Sequence, residues 1–549
     1  MNFTLINRNM PEQSFSILQR TLARRLDERN CTLADGGYTL TLSVDDSFTD
    51  DRYRVEPQTG GVLLTAANAA ALHAAAGRFL FASRFDGLGG FEPVTEVIDF
   101  TPERPLRGMY FATHFHNFYH DAPIEKVYEV IEDLALRGCN ALLVWYDMHH
   151  YTSIDQPESV ALISRLKAFM RYAKQIGMLA SMTMLSNEAF DSSPEALRAD
   201  WRVRGGYHTQ LCGHYYREIC PSKPGGIEEI IRERRIMLEA FADVEPDYVC
   251  YWPYDQGGCT CPDCEPWGAN GFLKILPHYT KLLHEVCPGT RLIVSTWFFD
   301  RFIDGEWEAF YPHLQAGELS EADYIMSFFF RGELPEVIKR EGIPDGVRFI
   351  DFPEISMYSC EPWGAFGANP LGRFLDETNE KSGHLYAGGY PYSEGIFEDI
   401  NKHIILGWYS GQHKKSAAAV REWARFELCC DDDALVDAII RTETALARTN
   451  QKRVHPFHFG INDTSDIQYV YDTIMAYDRK LPEKIRTSPR WRMLYLRALL
   501  DYEIPRVDGY PSRSPICQEA FRELRSLYYA SAQTHRWVCP PVEDAADLR

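Results

Sequence analysis

Eight short apolar runs alternate with helical segments between about residues 104 and 410, and this alternation constrains the fold more than any other feature of the chain. The runs span 107–113, 140–146, 178–184, 247–252, 291–297, 323–329, 347–352 and 384–390. Strands that alternate with helices form either an open doubly wound sheet or a closed barrel of parallel strands. The count of eight favours the (β/α)8 TIM barrel, because no GxGxxG motif follows an early strand to support the open sheet.

The sequence on either side of this region has a different pattern. Residues 1 to about 100 combine an alternating strand at 38–44, a hairpin of 53–56 with 61–65, and an alanine-rich helix at 66–81. After about residue 415 the strands stop and helical periodicity continues. Since 549 residues exceed what one hydrophobic core supports, we predict three parts. They are an N-terminal α/β domain (1–100), a catalytic (β/α)8 barrel (101–415) and a helical C-terminal region (416–549).

Charge and hydropathy exclude several classes of partner. The formal net charge of −21 opposes binding to nucleic acid or to an anionic membrane surface. No run of about 18 apolar residues is present to span a membrane. The N-terminal segment MNFTLINRNMPEQSF lacks the basic and apolar stretches of a signal peptide, which predicts a cytoplasmic protein. The sequence leaves the oligomeric state open, a homo-oligomer included.

Polar and aromatic residues follow each predicted strand, where a TIM barrel places its functional rim. Carboxylates, histidines and aromatic rings at one rim suit a polyhydroxylated ligand, so we expect a carbohydrate substrate. The predicted sugar-binding residues are His114, His116, Trp145, Asp147, Trp297, Arg331 and Tyr392. Each of these side chains could instead have a purely structural role.

Three carboxylates are candidates for glycosidic bond cleavage, which needs one acid and one nucleophile or base. Asp255 and Glu394 are the first two, because both lie in glycine-containing turns (YDQGG and YSEG) where backbone can approach a ligand. Glu354 follows the seventh predicted strand and is the third. The alternative for any one of them is a helix cap or a salt bridge.

A cluster of cysteines follows the fourth predicted strand, in the same loop as Asp255. The spacing Cys259-x-Cys261-x2-Cys264 is typical of thiolate ligands, and zinc prefers four ligands in tetrahedral geometry. Cys220 is the first choice for the fourth ligand, and Cys212 and His214 come next. We therefore predict a structural zinc site that fixes the loop. The alternative is a set of reduced thiols without metal, and no organic cofactor is predicted.

Two segments of the sequence resemble known hydrolases. The stretch DDRYRVEPQTGGVLLTAANAAALHAAAGRFL, followed by PLRGMYF, resembles the small α/β domain and the barrel opening of family 20 hexosaminidases and family 67 α-glucuronidases. The stretch YPYSEGIFEDINKHIILGWY, followed by VREWARFEL, looks like bacterial proteins allied to those hydrolases. The resemblance spans residues 35 to 430. It implies a small α/β domain in front of a catalytic TIM barrel.

One departure from the family 20 pattern limits what the resemblance implies. Those enzymes have an Asp-Glu pair past the fourth strand, with the glutamate as general acid, whereas this chain has Asp255-Gln256. Glutamine cannot donate a proton as a general acid, so hexosaminidase activity is not carried over. The family 67 resemblance would allow a uronic acid substrate, with Arg331 or a histidine binding its carboxylate.

The sequence as a whole predicts an exo-acting glycoside hydrolase that cleaves a terminal sugar from an oligosaccharide or glycoside. One alternative is a non-catalytic carbohydrate-binding protein on a hydrolase scaffold, which Gln256 favours. The other is a metal-dependent carbohydrate enzyme centred on the cysteine or histidine clusters.

Overall fold

The structure is a computed structural model. It describes residues 1–113, 116–200, 217–254, 258–301, 303–327, 329, 332–355, 367–445, 465–507, 512–531 and 542. The predicted site residues His114, Asp255 and Arg331 lie outside these ranges, as do Gln256, Cys212 and His214. Their proposed roles therefore stay predictions.

The N-terminal domain contains a six-stranded mixed sheet covered by two helices. Its strands and helices are β1 (Asn2–Asn7), α1 (Glu12–Asp27), β2 (Thr32–Leu33), β3 (Tyr38–Val44), β4 (Tyr53–Gln58), β5 (Gly61–Ala66), α2 (Ala69–Ala82), the small β6–β7 pair (Arg84–Phe85, Phe91–Glu92) and β8 (Ile98–Phe100). The sheet order is β2-β1-β3-β5-β4-β8. The predicted hairpin is confirmed, because Gln58 pairs with Gly61 in antiparallel register and Gly60 has the positive φ of +73° that the tight turn requires.

Parallel strands then close into the predicted barrel. They are β9 (Leu106–Phe111), β10 (Ala141–Trp145), β11 (Leu179–Leu185), β12 (Tyr248–Trp252), β13 (Arg291–Ser295), β14 (Ala322–Ser327), β15 (Phe349–Asp351), β16 (Tyr386–Gly389) and the short β17 (Tyr392–Ser393), which extends the eighth position. Closure is direct, because both β10 and β16 pair with β9. The predicted fold class is confirmed, whereas the exact domain boundaries stay a prediction.

Helices surround the barrel and continue beyond it. They are α3 (Phe118–Asp121), α4 (Ile124–Leu136), α5 (Pro157–Ile176), α6 (Gly226–Phe241), α7 (Trp267–Asn270), α8 (Phe272–Val286), α9 (Glu306–Gln315), α10 (Glu336–Glu341), α11 (Gly372–Ser382), α12 (Asp399–Ser410), α13 (Ser416–Glu427), α14 (Asp433–Ala445), α15 (Ser465–Asp478), α16 (Glu483–Arg486), α17 (Pro489–Val507) and α18 (Pro515–Leu527). Helix α4 shows why they form where they do. Its apolar residues Val127, Ile131 and Leu134 recur at helical spacing and are all buried.

Alternation along the barrel strands divides the core into two layers. On β12, Tyr248, Cys250 and Trp252 face the lumen, whereas Val249 and Tyr251 face the surrounding helices. Both faces are buried, as expected for a parallel sheet covered by helices. This two-residue period determines which side chains at the strand ends reach the mouth of the barrel.

Buried ion pairs join the N-terminal domain to the later helices. Glu427, at the end of α13, accepts hydrogen bonds from Arg25 and Arg29 of α1 and from Arg137, which follows α4. Arg490 of α17 lies 3.6 Å from the same carboxylate. The network links sequence segments that are hundreds of residues apart.

No helix among the described residues is long and apolar enough to cross a membrane.

Candidate functional site at the barrel mouth

Aromatic side chains line the C-terminal end of the barrel lumen. Tyr110, Trp252, Phe352 and Tyr392 share the lumen-facing period of their strands and form one buried cluster, against which Trp297 packs. The ring centroids of Trp252 and Phe352 lie 4.8 Å apart, and those of Trp297 and Phe352 lie 5.1 Å apart. These rings close the lumen and provide an apolar floor for anything bound above them.

Glu394 directly follows β17 and is held on every side. Its Oε1 accepts a 2.9 Å hydrogen bond from the hydroxyl of Tyr392. Its backbone N–H donates to Glu398 at 2.6 Å, and its carbonyl accepts from the hydroxyl of Tyr528 at 2.7 Å. Only 1% of Glu394 is exposed. The carboxylate is therefore buried and fixed in orientation.

Glu354 lies next to the same tyrosine. Its backbone pairs with Tyr392 in a parallel bridge just past β15, and 7% of its surface is exposed. Burial raises the pKa of Tyr392 well above its usual range, and the charges of Glu394 and Glu354 raise it further. Tyr392 is consequently a neutral hydroxyl donor with both carboxylates close to it.

A second polar group lies past β10 and β11. Glu188 is fully buried, and its Oε1 accepts a 3.2 Å hydrogen bond from the backbone N–H of His149 and contacts the Nδ1 atom of its ring. The ring of His150 pairs in the same way with Asp147. Burial raises the pKa of Glu188 well above its usual range, and the guanidinium of Arg234 lowers it by less. Asp147, His149 and His150 each contribute one potential ligand atom, and these three atoms lie within 4.8 Å of one another.

His116 and His120 add to this group from the β9 side. Their rings stack with centroids 4.4 Å apart. Burial lowers the pKa of His120 well below its usual range, and His116 and His150 contribute to the shift, so this ring is neutral. The φ angle of His116 is +41°, which non-glycine residues rarely adopt. Such strained residues cluster at functional sites.

The loop past β13 is held by a reciprocal pair of carboxylates. The backbone N–H of Glu306 donates to Asp300 at 2.6 Å, and the backbone N–H of Asp300 donates to Glu306 at 3.1 Å. Asp300 and its neighbour Phe298 both have φ near +61°. Burial raises the pKa of Glu306 to about 8, although Tyr254 donates to it at 2.5 Å. This arrangement fixes the start of α9.

The structure brings the four predicted thiols together. Cys220 lies before α6, whereas Cys259, Cys261 and Cys264 lie past β12, and all four Sγ atoms fall within 4.8 Å of one another. The Sγ–Sγ distance is 3.7 Å from Cys220 to Cys261 and 3.8 Å from Cys220 to Cys264. The first choice for the fourth member is thus in contact with the other three.

All five of the predicted substrate-binding residues that the structure describes converge on this mouth. They are His116, Trp145, Asp147, Trp297 and Tyr392. The predicted site residues include neither the His149–Glu188 pair nor Tyr528. The lumen-facing period could have identified Tyr110 and Phe352, but no local signal links Tyr528 to the barrel.

Comparisons with known proteins identify the fold. No protein-family model matches the sequence, and no curated protein matches it. A family 89 glycoside hydrolase from Clostridium perfringens, solved with its substrate GlcNAc-α-1,4-galactose, matches with a TM-score of 0.61 and 12% identity. The match covers 93% of this chain and 62% of that chain.

Two further solved structures are similar. The family 20 β-N-acetylhexosaminidase from Streptomyces coelicolor A3(2) matches with a TM-score of 0.51 and 12% identity over 78% of this chain and 92% of that one. A family 138 enzyme that targets pectin rhamnogalacturonan II matches with a TM-score of 0.55 and 12% identity over 99% of this chain and 76% of that one. The chain therefore has the fold of TIM-barrel glycoside hydrolases.

Proposed function

We propose that this protein is an exo-acting glycoside hydrolase that removes a terminal sugar from an oligosaccharide or glycoside. The observation that carries the proposal is the placement of Glu354 and Glu394, both buried beside the hydroxyl of Tyr392 at the mouth of the barrel. Hydrolysis of a glycosidic bond requires two carboxyl groups on either side of the scissile bond. This mouth offers carboxylates together with the aromatic floor on which a sugar ring can stack.

The proposed roles follow from the strand order. Asp255 follows β12 in the sequence, and Glu394 follows β17 at the eighth position, diametrically opposite in a barrel of eight. In the proposal Asp255 protonates the leaving oxygen. Glu394 attacks the anomeric carbon or removes a proton from the attacking water. Glu354 is the alternative partner, because it also lies next to Tyr392.

The remaining polar residues at the mouth would bind the sugar hydroxyls. His116, Asp147 and His150 supply donors and acceptors on the side of β9 and β10. Trp297 supplies an aromatic face. The structural neighbours act on N-acetylhexosaminides and on pectin rhamnogalacturonan II. Terminal N-acetylglucosamine and uronic acids are therefore the first sugars to test.

The test is turnover of nitrophenyl α- and β-glycosides and glycuronides by the wild type and by Asp255→Asn, Glu354→Gln and Glu394→Gln. Loss of an acid or base costs about 10²–10⁴-fold in rate. Activated leaving groups need no proton, so a dinitrophenyl substrate should restore most turnover to the acid variant alone. Product analysis on a tetrasaccharide should show release of one terminal sugar at a time.

Glu333→Gln is the matched control, because this exposed glutamate is paired with Lys381 at 2.6 Å outside the aromatic cluster. It should leave turnover unchanged. Full activity in all three carboxylate variants would contradict the proposed site. Sugar binding without turnover of any substrate would instead identify a non-catalytic binding protein.

A metal-dependent carbohydrate enzyme is the second candidate. The cluster of Asp147, His149 and His150 supports it, since one carboxylate and two imidazoles suit a transition metal. Here the discriminating measurement is turnover in the presence of a chelator, with circular dichroism to detect loss of folding. Activity lost by a folded protein and restored by added metal would favour this candidate over the two-carboxylate mechanism.

A further inference from the structure

We propose that Cys220, Cys259, Cys261 and Cys264 bind one structural Zn²⁺ ion that fastens the loop past β12 to the segment before α6. The inference does not depend on the proposed hydrolase activity. It rests on the geometry of the four thiols, on their surroundings and on their positions in the fold.

The distances between the thiols match a tetrahedral metal site. Four sulfur ligands at about 2.3 Å from a zinc ion lie about 3.8 Å from one another. The observed Sγ–Sγ distances from Cys220 are 3.7 Å to Cys261 and 3.8 Å to Cys264. A disulfide would bring two sulfurs to about 2.05 Å, and all four cysteines are free. The spacing thus leaves room for an ion between the sulfurs and does not correspond to disulfide bonds.

The chemistry of the ligand set indicates which metal it would bind. A tetrahedral set of four thiolates is characteristic of zinc or of iron, and it excludes calcium and magnesium, which prefer oxygen. Three of the four thiols are buried and Cys261 is partly exposed, which provides a route of entry. A closed set of four protein ligands leaves no open position for substrate, so the site is structural and not catalytic.

Polar groups surround the sulfurs. The hydroxyl of Ser222 lies 3.1 Å from Sγ of Cys264, and Lys274 donates to that hydroxyl at 3.0 Å. The backbone N–H groups of Ser222 and Cys261 interact with the sulfurs of Cys220 and Cys259, each two residues earlier. Hydrogen-bond donors around the ligands and a nearby cation of this kind orient metal ligands and offset their negative charge.

The cluster joins two segments that are already linked around the end of β11. The side chain of Asn187 donates to the carbonyls of Ile219 and Gly258 at 2.9 and 3.0 Å, and accepts from the N–H of Gly258 at 2.9 Å. Thr260 donates to the carbonyl of Asp200 at 2.7 Å through its backbone. A zinc ion on the cysteines would fix the outer part of this junction. The same loop carries Asp255 in the sequence.

Elemental analysis of the full-length protein, purified under reducing conditions without chelator or added metal, tests the proposal. The expected result is about one zinc ion per chain. Cys220→Ser and Cys261→Ser should each abolish stoichiometric zinc. Cys430→Ser is the matched control, because Cys430 is also partly exposed but lies outside the cluster, and it should retain zinc.

A second measurement covers the case in which the serine variants do not fold. Wild-type protein is titrated with a thiol-reactive mercurial while a chromophoric chelator records zinc release, and about one zinc ion per chain should be released once the cluster thiols have reacted. Cobalt exchanged into the protein should show the intense charge-transfer bands of tetrahedral thiolate coordination. Folded wild-type protein without stoichiometric zinc, even after zinc is added, would overturn the proposal. Stoichiometric iron in place of zinc would overturn the identity of the metal.

Discussion

The hydroxyl of Tyr392 donates a 2.9 Å hydrogen bond to Oε1 of Glu394 at the mouth of the barrel. The two residues lie in and directly after the short strand β17, and the backbone of Tyr392 is also paired with Glu354. Because burial and the two neighbouring carboxylates raise the pKa of this phenol well above its usual range, it stays protonated at neutral pH. Tyr392 is thus suited to hold a carboxylate in one orientation.

Removing this hydroxyl should lower activity without unfolding the protein. A hydrogen bond to a charged group contributes about 1.5–3 kcal/mol, so Tyr392→Phe should reduce kcat/KM by roughly 10- to 150-fold. The ring and its packing against Phe352 remain, which preserves the apolar floor. The measurement is kcat/KM on the best substrate of the glycoside panel, with thermal unfolding to confirm the fold.

Tyr390→Phe provides the control for this change. Tyr390 precedes β17 by two residues, faces the lumen and bonds its hydroxyl to Ser181 at 2.9 Å. The Tyr390→Phe variant also loses one phenol oxygen, but at a deeper layer of the barrel, away from both glutamates. We expect lower stability with little change in kcat/KM. Equal loss of activity in the two variants would mean that the hydrogen bond from Tyr392 to Glu394 has no specific role in activity.

The buried pair of Glu188 and His149 leads to a second prediction. Since burial raises the pKa of Glu188 well above its usual range, glutamine should replace it with little loss of stability. Glu188→Ala should be destabilised by about 1–3 kcal/mol, because it removes the acceptor of the buried His149 N–H. Urea unfolding of the two variants measures the difference. Equal destabilisation by glutamine and alanine would show that the negative charge itself is needed.

The barrel could be predicted from the sequence because each of its strands is buried on both faces. Such strands appear as continuous apolar runs, and the predicted run at 140–146 coincides with β10 to within one residue at each end. The cysteine cluster could also be predicted from the sequence, since three of its members share one loop. Cys220 is the predicted fourth member, since it follows the preceding predicted strand, and the structure places it in contact with the other three.

Other features of the mouth had no local signal. Tyr528 lies after α18 and binds the carbonyl of Glu394, 134 residues earlier, so only the tertiary fold brings them together. The pairing of His149 with Glu188 depends on the register of β10 and β11, which no single-strand pattern specifies. Residues such as these act through long-range contacts, and periodicity cannot detect them.

The ion network around Glu427 should be essential for stability. Burial alone would raise the pKa of Glu427, but Arg25, Arg490, Arg29 and Arg137 outweigh it and lower the pKa to about 2. A group whose pKa is lowered on folding stabilises the protein above its unfolded pKa. This stabilisation is lost as pH falls from about 4.5 towards 2.

Glu427→Gln should therefore destabilise the protein at pH 7 by about 3–5 kcal/mol, because it leaves buried guanidinium groups without their shared partner. The difference from wild type should narrow as pH falls below about 4.5. The exposed pair of Arg52 and Asp99 is the control, and Asp99→Asn should cost about 0–1 kcal/mol. Denaturant unfolding at several pH values tests both variants. Similar stability of the two at pH 7 would contradict a structural role for the network.

Glu306 should give the opposite pH dependence. It is fully buried, and burial raises its pKa to about 8, although Tyr254 and two backbone N–H groups at Gly268 and Asp300 offset part of the effect. The folded protein therefore binds this proton more tightly than the unfolded chain does. The stabilisation is complete below the unfolded pKa of about 4.5 and is lost as pH rises through the folded pKa of about 8.

Glu306→Gln should remove this pH dependence, because glutamine resembles the protonated side chain at every pH. Each pKa unit corresponds to about 1.4 kcal/mol, so between pH 5 and 8 the variant should gain up to about 4 kcal/mol relative to wild type. Only the difference between the two proteins is informative, since other titrating groups contribute equally to both. Urea unfolding at pH 5, 6.5 and 8 measures it. A difference that stays constant across this range would mean that Glu306 is ionised in the folded protein, and that its hydrogen bonds outweigh its burial.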